Sequence, residues 1–219
     1  RYIRNDINIG GINNFTKCIK TAAGEYFVLL PHDDILLPGA LEEFVLALEN
    51  KSIGLVYSAM QIIDKNGDTL YKKTNYDSNM LFTSEEALQD LIKNFMPIQC
   101  AMVRTAILKK LGGFDLKYSL FSDVHLWLRV FFEGWDAYYI NTPKSCLRAH
   151  ALQGQRAFQN PNLDILSEHL GKQLDETFWI ENSFNYLQLK IWGFIFEGMR
   201  EQKYDDVYAK KIKRLSEQY

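Results

Sequence analysis

The chain has 219 residues, of which 47% are hydrophobic and 14% aromatic, with 25 basic residues against 27 acidic ones. This content suffices for a packed core and excludes the disordered and fibrous classes. The formal net charge of −2 gives no overall positive field, so we expect no nucleic-acid partner. A chain of this length is most often one large domain, or one domain with an appendage.

Three cysteines, Cys18, Cys100 and Cys146, are far apart in the sequence and flanked by apolar residues. They predict reduced core thiols in a cytoplasmic protein rather than disulfides or a zinc site. The longest apolar candidate, residues 191–196, is much shorter than the ~20 residues of a membrane span. For this stretch and for the basic residues near the C-terminus, contact with the inner face of a membrane is the alternative to an ordinary structural role.

Strand and helix patterns alternate along the first part of the chain. A continuous apolar run over 26–30 predicts a strand buried on both faces at the centre of a sheet. Polar residues 31–34 follow it, and Pro38 then begins a helix that continues to about Asn50. This order is typical of an α/β unit. Further predicted strands are 2–4, 54–63, 69–73, 97–103, 137–140 and 145–149, and further predicted helices are 13–23, 84–96, 105–111 and 122–133.

After Gly154 the pattern is helical, with candidate helices at 162–176, 183–200 and 204–217. We therefore predict an α/β core over residues 1–154 and a C-terminal helical extension over 155–219. The sequence starts inside a strand-like stretch without an initiator Met, so we also expect upstream residues.

Asp33 and Asp34 follow the predicted central strand, at the kind of sheet edge where open α/β sheets bind ligands. Two adjacent carboxylates repel each other, and a hard divalent cation such as Mg²⁺ or Mn²⁺ relieves that cost. The structural alternative is a cap for the following helix, and the dipeptide alone favours neither interpretation.

Asp123 directly follows Ser122 at the start of the most apolar helix pattern in the chain. In isolation, the favoured interpretation is an ordinary first-turn acid that satisfies free N–H groups. The functional alternative uses the same position, because a helix N-terminus keeps a partly buried carboxylate ionised and able to accept a proton.

His150 ends a predicted strand, with Arg148 two residues earlier on the same face. A single histidine is more often a structural residue than a ligand. Its position at a second strand end nevertheless favours a cleft shared with Asp33.

In their order and spacing, these motifs resemble those of glycosyltransferase family 2, a large group of inverting enzymes with the GT-A fold. Each motif is unspecific alone, and their joint occurrence from Arg1 to about Gly154 carries the resemblance. The matching segments are NIGG at 8–11, AAGEY at 22–26, LPHDD at 30–34, VYS at 56–58, DKNG at 64–67, LGGFD at 111–115, SDVHLWLR at 122–129 and RAH at 148–150.

The resemblance implies an α/β fold of the GT-A (Rossmann-like) type, with a mixed, mostly parallel sheet flanked by helices. It also implies a metal-dependent enzyme that moves a sugar from a nucleotide-diphosphate donor to an acceptor hydroxyl. UDP- or dTDP-sugars are the expected donors, and a growing polysaccharide or lipid-linked glycan is the expected acceptor.

By the same resemblance, Asp33 matches the last carboxylate of the family's metal-binding Asp-x-Asp motif. His150 matches a residue near the diphosphate that completes the coordination of the metal. Asp123 matches the general base, which takes the proton of the acceptor hydroxyl as its oxygen attacks the anomeric carbon.

The remaining donor-binding candidates are His32, Asp34 and Arg148, and Arg148 is expected to stabilise the departing diphosphate. Pro31 stands where the family often has the first acid of its motif, so the metal is expected to rest on Asp33, His150 and phosphate oxygens, and His32 to replace a ribose contact. Ser122 stands where many members have a glutamate, so the proposed base is kept without its acidic neighbour.

The family's opening segment, which binds the nucleotide base, would lie before Arg1. The alternative function is therefore a fragment or non-catalytic relative with the GT-A fold that folds or docks to a partner. A nucleotidyltransferase is the third candidate, and it would call for a glycine-rich phosphate loop with basic residues that the sequence does not display.

Overall fold

A computed structural model describes residues 2–94, 100–116 and 122–149. The chain divides into two compact units, the first formed by Arg1–Leu88 and Pro97–His150 and the second by Gln89–Met96 and Ala151–Tyr219. His150, the predicted helices after Gly154 and the predicted boundary between core and extension lie outside the described residues.

The described residues form five helices and seven strands. The helices are α1 (Gly11–Thr21), α2 (Ala40–Leu48), α3 (Ser84–Asn94), α4 (Thr105–Lys110) and α5 (Ser122–Phe132). The strands are β1 (Tyr26–Val28), β2 (Ile35–Leu36), β3 (Ile53–Ile63), β4 (Thr69–Lys73), β5 (Met80–Phe82), β6 (Met102–Arg104) and β7 (Asp136–Arg148). Within these ranges, none of the helices combines the length and the apolar character that a membrane crossing requires.

Strand β3 forms the centre of the sheet. The strand order is β1-β6-β3-β7-β2, with β4 paired to β3 and β5 paired to β7. β3 and β7 run parallel, from Ile53 opposite Asp136 to Ile63 opposite Arg148. Nearly every residue of β3 is buried, as its continuous apolar sequence predicts for a strand covered on both faces.

The mixed α/β sheet is confirmed, but its predicted mostly parallel character is corrected. Among the pairings of the described residues only β3–β7 is parallel, and the other five are antiparallel. The mostly parallel sheet was inferred from the family resemblance, whereas β6 lies between β1 and β3 and runs opposite to both. The tight hairpin between β3 and β4 also requires an antiparallel pair.

The prediction that residues 26–30 form the central strand is wrong. β1 ends at Val28, is only half-buried, and pairs with β6 alone among the described strands. The apolar run continues to Leu30, which is exposed and lies outside the sheet. The run therefore covers a half-buried strand and the residues that follow it, rather than one long strand.

The predicted strands 137–140 and 145–149 are one strand, β7. Its pairing with β3 jumps from Ile140 opposite Ser58 to Ser145 opposite Met60, so the residues between are accommodated as an irregularity rather than a break. The short strands β2 and β5 were not predicted, because two or three residues carry no periodic signal.

Helix α2 packs one face on the sheet. Ala40, Phe44 and Leu48 recur every four residues, lie on that face, and are fully buried in a cluster with β3 and β6. Of the three cysteines, Cys100 and Cys146 are buried as predicted, whereas Cys18 is exposed.

Candidate active site

The carboxyl ends of β3 and β7 meet at one edge of the sheet. The Ala149 N–H donates a hydrogen bond to the Ile63 carbonyl at 2.8 Å, which extends the parallel pairing by one step. On the other side of β7, Ile35 of β2 pairs with Cys146. The turn before β2, which contains the predicted acidic pair, therefore lies beside the end of β7.

In the acidic turn, His32 lies towards solvent and Asp33 is partly exposed. The Asp34 N–H donates to the Pro31 carbonyl at 3.2 Å and closes the turn. The His32 side chain is 89% exposed and that of Asp33 18% exposed, with 3.7 Å between His32 Nδ1 and Asp33 Oδ1. These two side chains can therefore reach a ligand.

Asp34 points into the protein instead. It is only 8% exposed, and its Oδ1 accepts a hydrogen bond from the Arg148 N–H at 3.1 Å. Its buried Oδ2 has no hydrogen-bond partner among the described residues. Burial raises the pKa of the Asp34 carboxyl, the Arg148 N–H lowers it, and the neighbouring Asp33 raises it.

The alternative role of the acidic pair as a helix cap is wrong. Helix α2 begins at Ala40, and its N-cap position is occupied by Gly39. Strand β2 separates this cap from the acidic turn. The sequence did not reveal that separation, because β2 has only two residues.

Arg148 joins the acidic turn to the end of β3. Its Nε donates to the Asp33 carbonyl at 3.1 Å. Its Nη1 donates to the carbonyls of Asp64, at 2.9 Å, and Lys65, at 3.2 Å, in the turn between β3 and β4. These donors are directed at backbone oxygens, and the predicted contact of Arg148 with a diphosphate stays a prediction.

The turn after β3 has a fixed shape of its own. The Asp64 carboxylate Oδ1 accepts hydrogen bonds from the N–H groups of Asn66 at 2.8 Å and Asp68 at 2.9 Å. The bond from Asp68 is the main cause that lowers the pKa of Asp64. Sequence reasoning missed the carbonyls of Asp64 and Lys65 as partners of Arg148, since backbone atoms leave no signal in residue identity.

Asp123 lies in the first turn of α5, as predicted. Its side chain is partly buried, and its Oδ1 accepts a hydrogen bond from the Val124 N–H at 2.7 Å. Burial raises the pKa of the Asp123 carboxyl, and the Val124 N–H lowers it. The carboxyl therefore has a raised pKa at the position of an ordinary first-turn acid, and its predicted role as a general base stays a prediction.

The contacts described above bring together His32, Asp33, Asp34 and Arg148. Asp123 is on a separate element and does not take part in them. Within residues 2–94, 100–116 and 122–149, no three His, Cys, Asp or Glu side chains are grouped as metal ligands. His150, the second proposed ligand, lies outside these ranges.

Comparison with known proteins identifies the class to which this fold and this site belong. The family model described as glycosyl transferase family 2 matches residues 1–112, which is half of the chain and includes the acidic turn. The chain therefore belongs to glycosyl transferase family 2.

Two uncharacterised glycosyltransferases are among its relatives. That of Methanocaldococcus jannaschii is 32% identical over 132 residues, which cover 58% of this chain and 43% of that protein. That of Rickettsia prowazekii is 28% identical over 151 residues, which cover 66% of this chain and 46% of that protein. The chain thus spans less than half the length of these relatives.

Solved structures of S. aureus TarS, residues 1–349, share the fold. One has a TM-score of 0.55 at 13% identity and covers 87% of this chain and 60% of TarS. A second, in complex with UDP-GlcNAc, has a TM-score of 0.52 at 13% identity and covers 83% and 59%. The predicted GT-A fold is confirmed.

Proposed function

We propose that this protein is an inverting glycosyltransferase that moves a sugar from a nucleotide-diphosphate sugar to an acceptor hydroxyl. The observation that carries the proposal is the acidic turn at the joined ends of β3 and β7, where Asp33 remains accessible while Asp34 is buried. Ligands of α/β sheets bind at this kind of edge. Membership of family 2 supplies the reaction class.

The proposed donor is a UDP- or dTDP-sugar. TarS, which shares the fold, has been solved in complex with UDP and with UDP-GlcNAc, and this supports a nucleotide sugar as donor. Among the donor-side residues, the His32 side chain is largely accessible and that of Asp33 partly so. The proposed acceptor is a polysaccharide or lipid-linked glycan made at the cytoplasmic side of a membrane.

A divalent cation, Mn²⁺ or Mg²⁺, belongs to the proposal, with Asp33 and His150 as its ligands. The Asp33 carboxylate is a hard oxygen donor, and the buried Asp34 Oδ2, which has no hydrogen-bond partner in the described ranges, adds negative potential beside it. The residues present therefore fit such an ion. When bound, the ion would neutralise charge on the departing diphosphate.

Asp123 is the proposed general base. Its carboxylate would accept the proton of the acceptor hydroxyl while the hydroxyl oxygen attacks the anomeric carbon from the face opposite the leaving diphosphate. The bond from carbon to the diphosphate oxygen breaks as the new glycosidic bond forms, which inverts the configuration. The N-terminal turn of α5 holds this carboxylate through the Val124 N–H.

Donor binding tests the proposal. We expect Asp33→Asn to weaken the binding of UDP in the presence of Mn²⁺ by about tenfold or more, as measured by calorimetric titration, because a ligand of the ion is lost. Glu49→Gln, at an exposed acid that follows α2, is the matched control and should bind UDP as the wild type does.

Either of two results would contradict the proposal. Unchanged UDP affinity in Asp33→Asn would remove Asp33 from the donor site. The proposed enzymatic function would also be wrong if the full-length wild-type protein, given glycan acceptors, failed to release UDP or dTDP from every sugar nucleotide tested.

A further inference from the structure

We propose that Arg148 is a positioning residue, whose guanidinium fixes the acidic turn against the end of β3 and so sets the direction of the Asp33 side chain. This inference rests on the proposed function for its consequence in donor binding. It differs from the expectation that Arg148 contacts the diphosphate itself.

Two hydrogen bonds, both donated by Arg148, join this residue to the acidic turn. The Arg148 N–H donates to the Asp34 carboxylate at 3.1 Å, and the Arg148 Nε donates to the Asp33 carbonyl at 3.1 Å. The first bond holds a side chain of the turn and the second holds its backbone. Together they restrict both the translation and the rotation of the peptide that follows Asp33.

The same guanidinium also holds the turn between β3 and β4, through the carbonyls of Asp64 and Lys65. This turn is itself rigid, because the Asp64 carboxylate accepts two backbone N–H groups. Arg148 thus holds the backbone of Asp33 in a fixed position relative to the turn between β3 and β4.

The geometry requires arginine. A guanidinium presents five N–H donors in a planar fork. Here Nε donates to a carbonyl of the acidic turn, and Nη1 donates to a carbonyl of the turn between β3 and β4. A lysine keeps the charge, but its single ammonium group cannot occupy both positions. An Arg148→Lys variant therefore separates the charge of the residue from its geometry.

The pairing of β3 with β7 is made by backbone groups and not by the Arg148 side chain. The backbone pairing of β3 with β7 extends from Ile53 opposite Asp136 to Ile63 opposite Arg148, and the Ala149 N–H continues it. We therefore expect Arg148→Lys to fold with the sheet intact. The expected defect is a displacement of the acidic turn alone. A displacement of about 1 Å at a reacting group can reduce the reaction rate by about 100-fold.

Hydrogen exchange of the ligand-free protein tests the positioning directly. In Arg148→Lys, we expect amide exchange in the peptide containing residues 31–36 to become about tenfold faster, with exchange in the centres of β3 and β7 unchanged. Arg104→Lys is the matched control, because Arg104 also donates to backbone carbonyls, those of Leu48 and Ile53, away from the acidic turn. Unchanged exchange of residues 31–36 in Arg148→Lys would overturn the inference.

Calorimetric titration with UDP tests the consequence. Arg148→Lys should weaken UDP binding about tenfold in Mn²⁺ and leave it unchanged in EDTA, because the defect acts through Asp33. An equal loss in both conditions would mean that Arg148 contacts the phosphates, and wild-type affinity in Mn²⁺ would mean that charge alone suffices, so either result overturns the inference. If the wild type itself bound no UDP in Mn²⁺, the proposed function would fail, and the exchange measurement would still decide the positioning role.

Discussion

Asp33 and Asp34 are adjacent in the sequence, yet their side chains lie in different environments. Asp33 is partly exposed beside His32, whereas Asp34 is buried and bonded to the backbone of Arg148. A carboxylate that accepts a main-chain N–H inside the protein is suited to hold the turn, and an accessible one is suited to hold a ligand. At the scale of single residues, Asp34 therefore has a structural role, and Asp33 is the member of the pair that we propose to bind the ligand.

Asp123 allows a prediction on pH dependence. Because burial raises the pKa of this carboxyl, the base becomes protonated at a higher pH than an ordinary aspartate, and kcat/KM should fall as the pH is lowered through that raised pKa. Asp123→Asn should reduce transfer by about 10²- to 10⁴-fold while UDP affinity in Mn²⁺ stays the same. A variant with wild-type turnover would exclude Asp123 as the base.

Stability gives an independent measurement on the same residue. A carboxyl whose pKa is higher in the folded than in the unfolded state stabilises the fold as the pH falls through the raised pKa. Asp123→Asn removes this charge, so the free energy of unfolding of the variant minus that of the wild type should be more positive at neutral pH than at acidic pH. Asp77→Asn, at an exposed acid, is the control, and its free energy of unfolding relative to the wild type should be the same at both pH values.

At the scale of elements, Arg129 ties α5 to the turn after α4. Its buried guanidinium donates to the carbonyl of Leu111 at 2.7 Å and to that of Gly113 at 2.5 Å. Gly113 has a φ of +83°, a conformation that glycine adopts without strain. The orientation of α5, which has Asp123 in its first turn, is thus fixed near its carboxyl end.

The start of β3 requires a glycine for packing. A Cβ atom at Gly54 would lie 2.6 Å from Trp135 Cβ and 3.0 Å from Ile107 Cδ1. We expect Gly54→Ala to lower the free energy of unfolding by about 1–3 kcal/mol, as overpacking typically does, measured by chemical denaturation. Gly11→Ala is the control: no heavy atom lies within 4 Å of its added Cβ, and it begins α1. Equal stabilities of the two variants would contradict this account of the packing.

Elements with long periodic or apolar patterns were predictable from the sequence. The interior of β3 and the helices α2 and α5 follow directly from such patterns, and the position of Asp123 in the first turn of α5 follows with them. The edge position of β1 was not predictable, because strand order depends on contacts between distant segments. The sequence predicted that Arg148 and the acidic turn belong to one site. It did not predict that the Arg148 side chain donates to backbone carbonyls, because every residue has a carbonyl and residue identity therefore gives no signal.

At the scale of the whole molecule, a bound donor should stabilise the folded protein by mass action. A ligand at 100 times its Kd adds about 2.7 kcal/mol of stability, which corresponds to a rise in Tm of roughly 5–10 °C for a protein of this size. We expect a panel of sugar nucleotides with Mn²⁺, tested on the full-length protein, to raise the Tm selectively for UDP- or dTDP-sugars. The same panel in EDTA is the control, and an equal response to every nucleotide would contradict a specific donor site.

The bond between Arg148 and Asp33 links positions that are 115 residues apart in the chain. Contacts between such distant positions form late in folding, because a long loop must close before they contribute. During synthesis from the N-terminus, the acidic turn emerges from the ribosome long before β7 does. A nascent chain can therefore acquire the mature arrangement of this turn only after the whole of β7 has been translated and released from the exit tunnel.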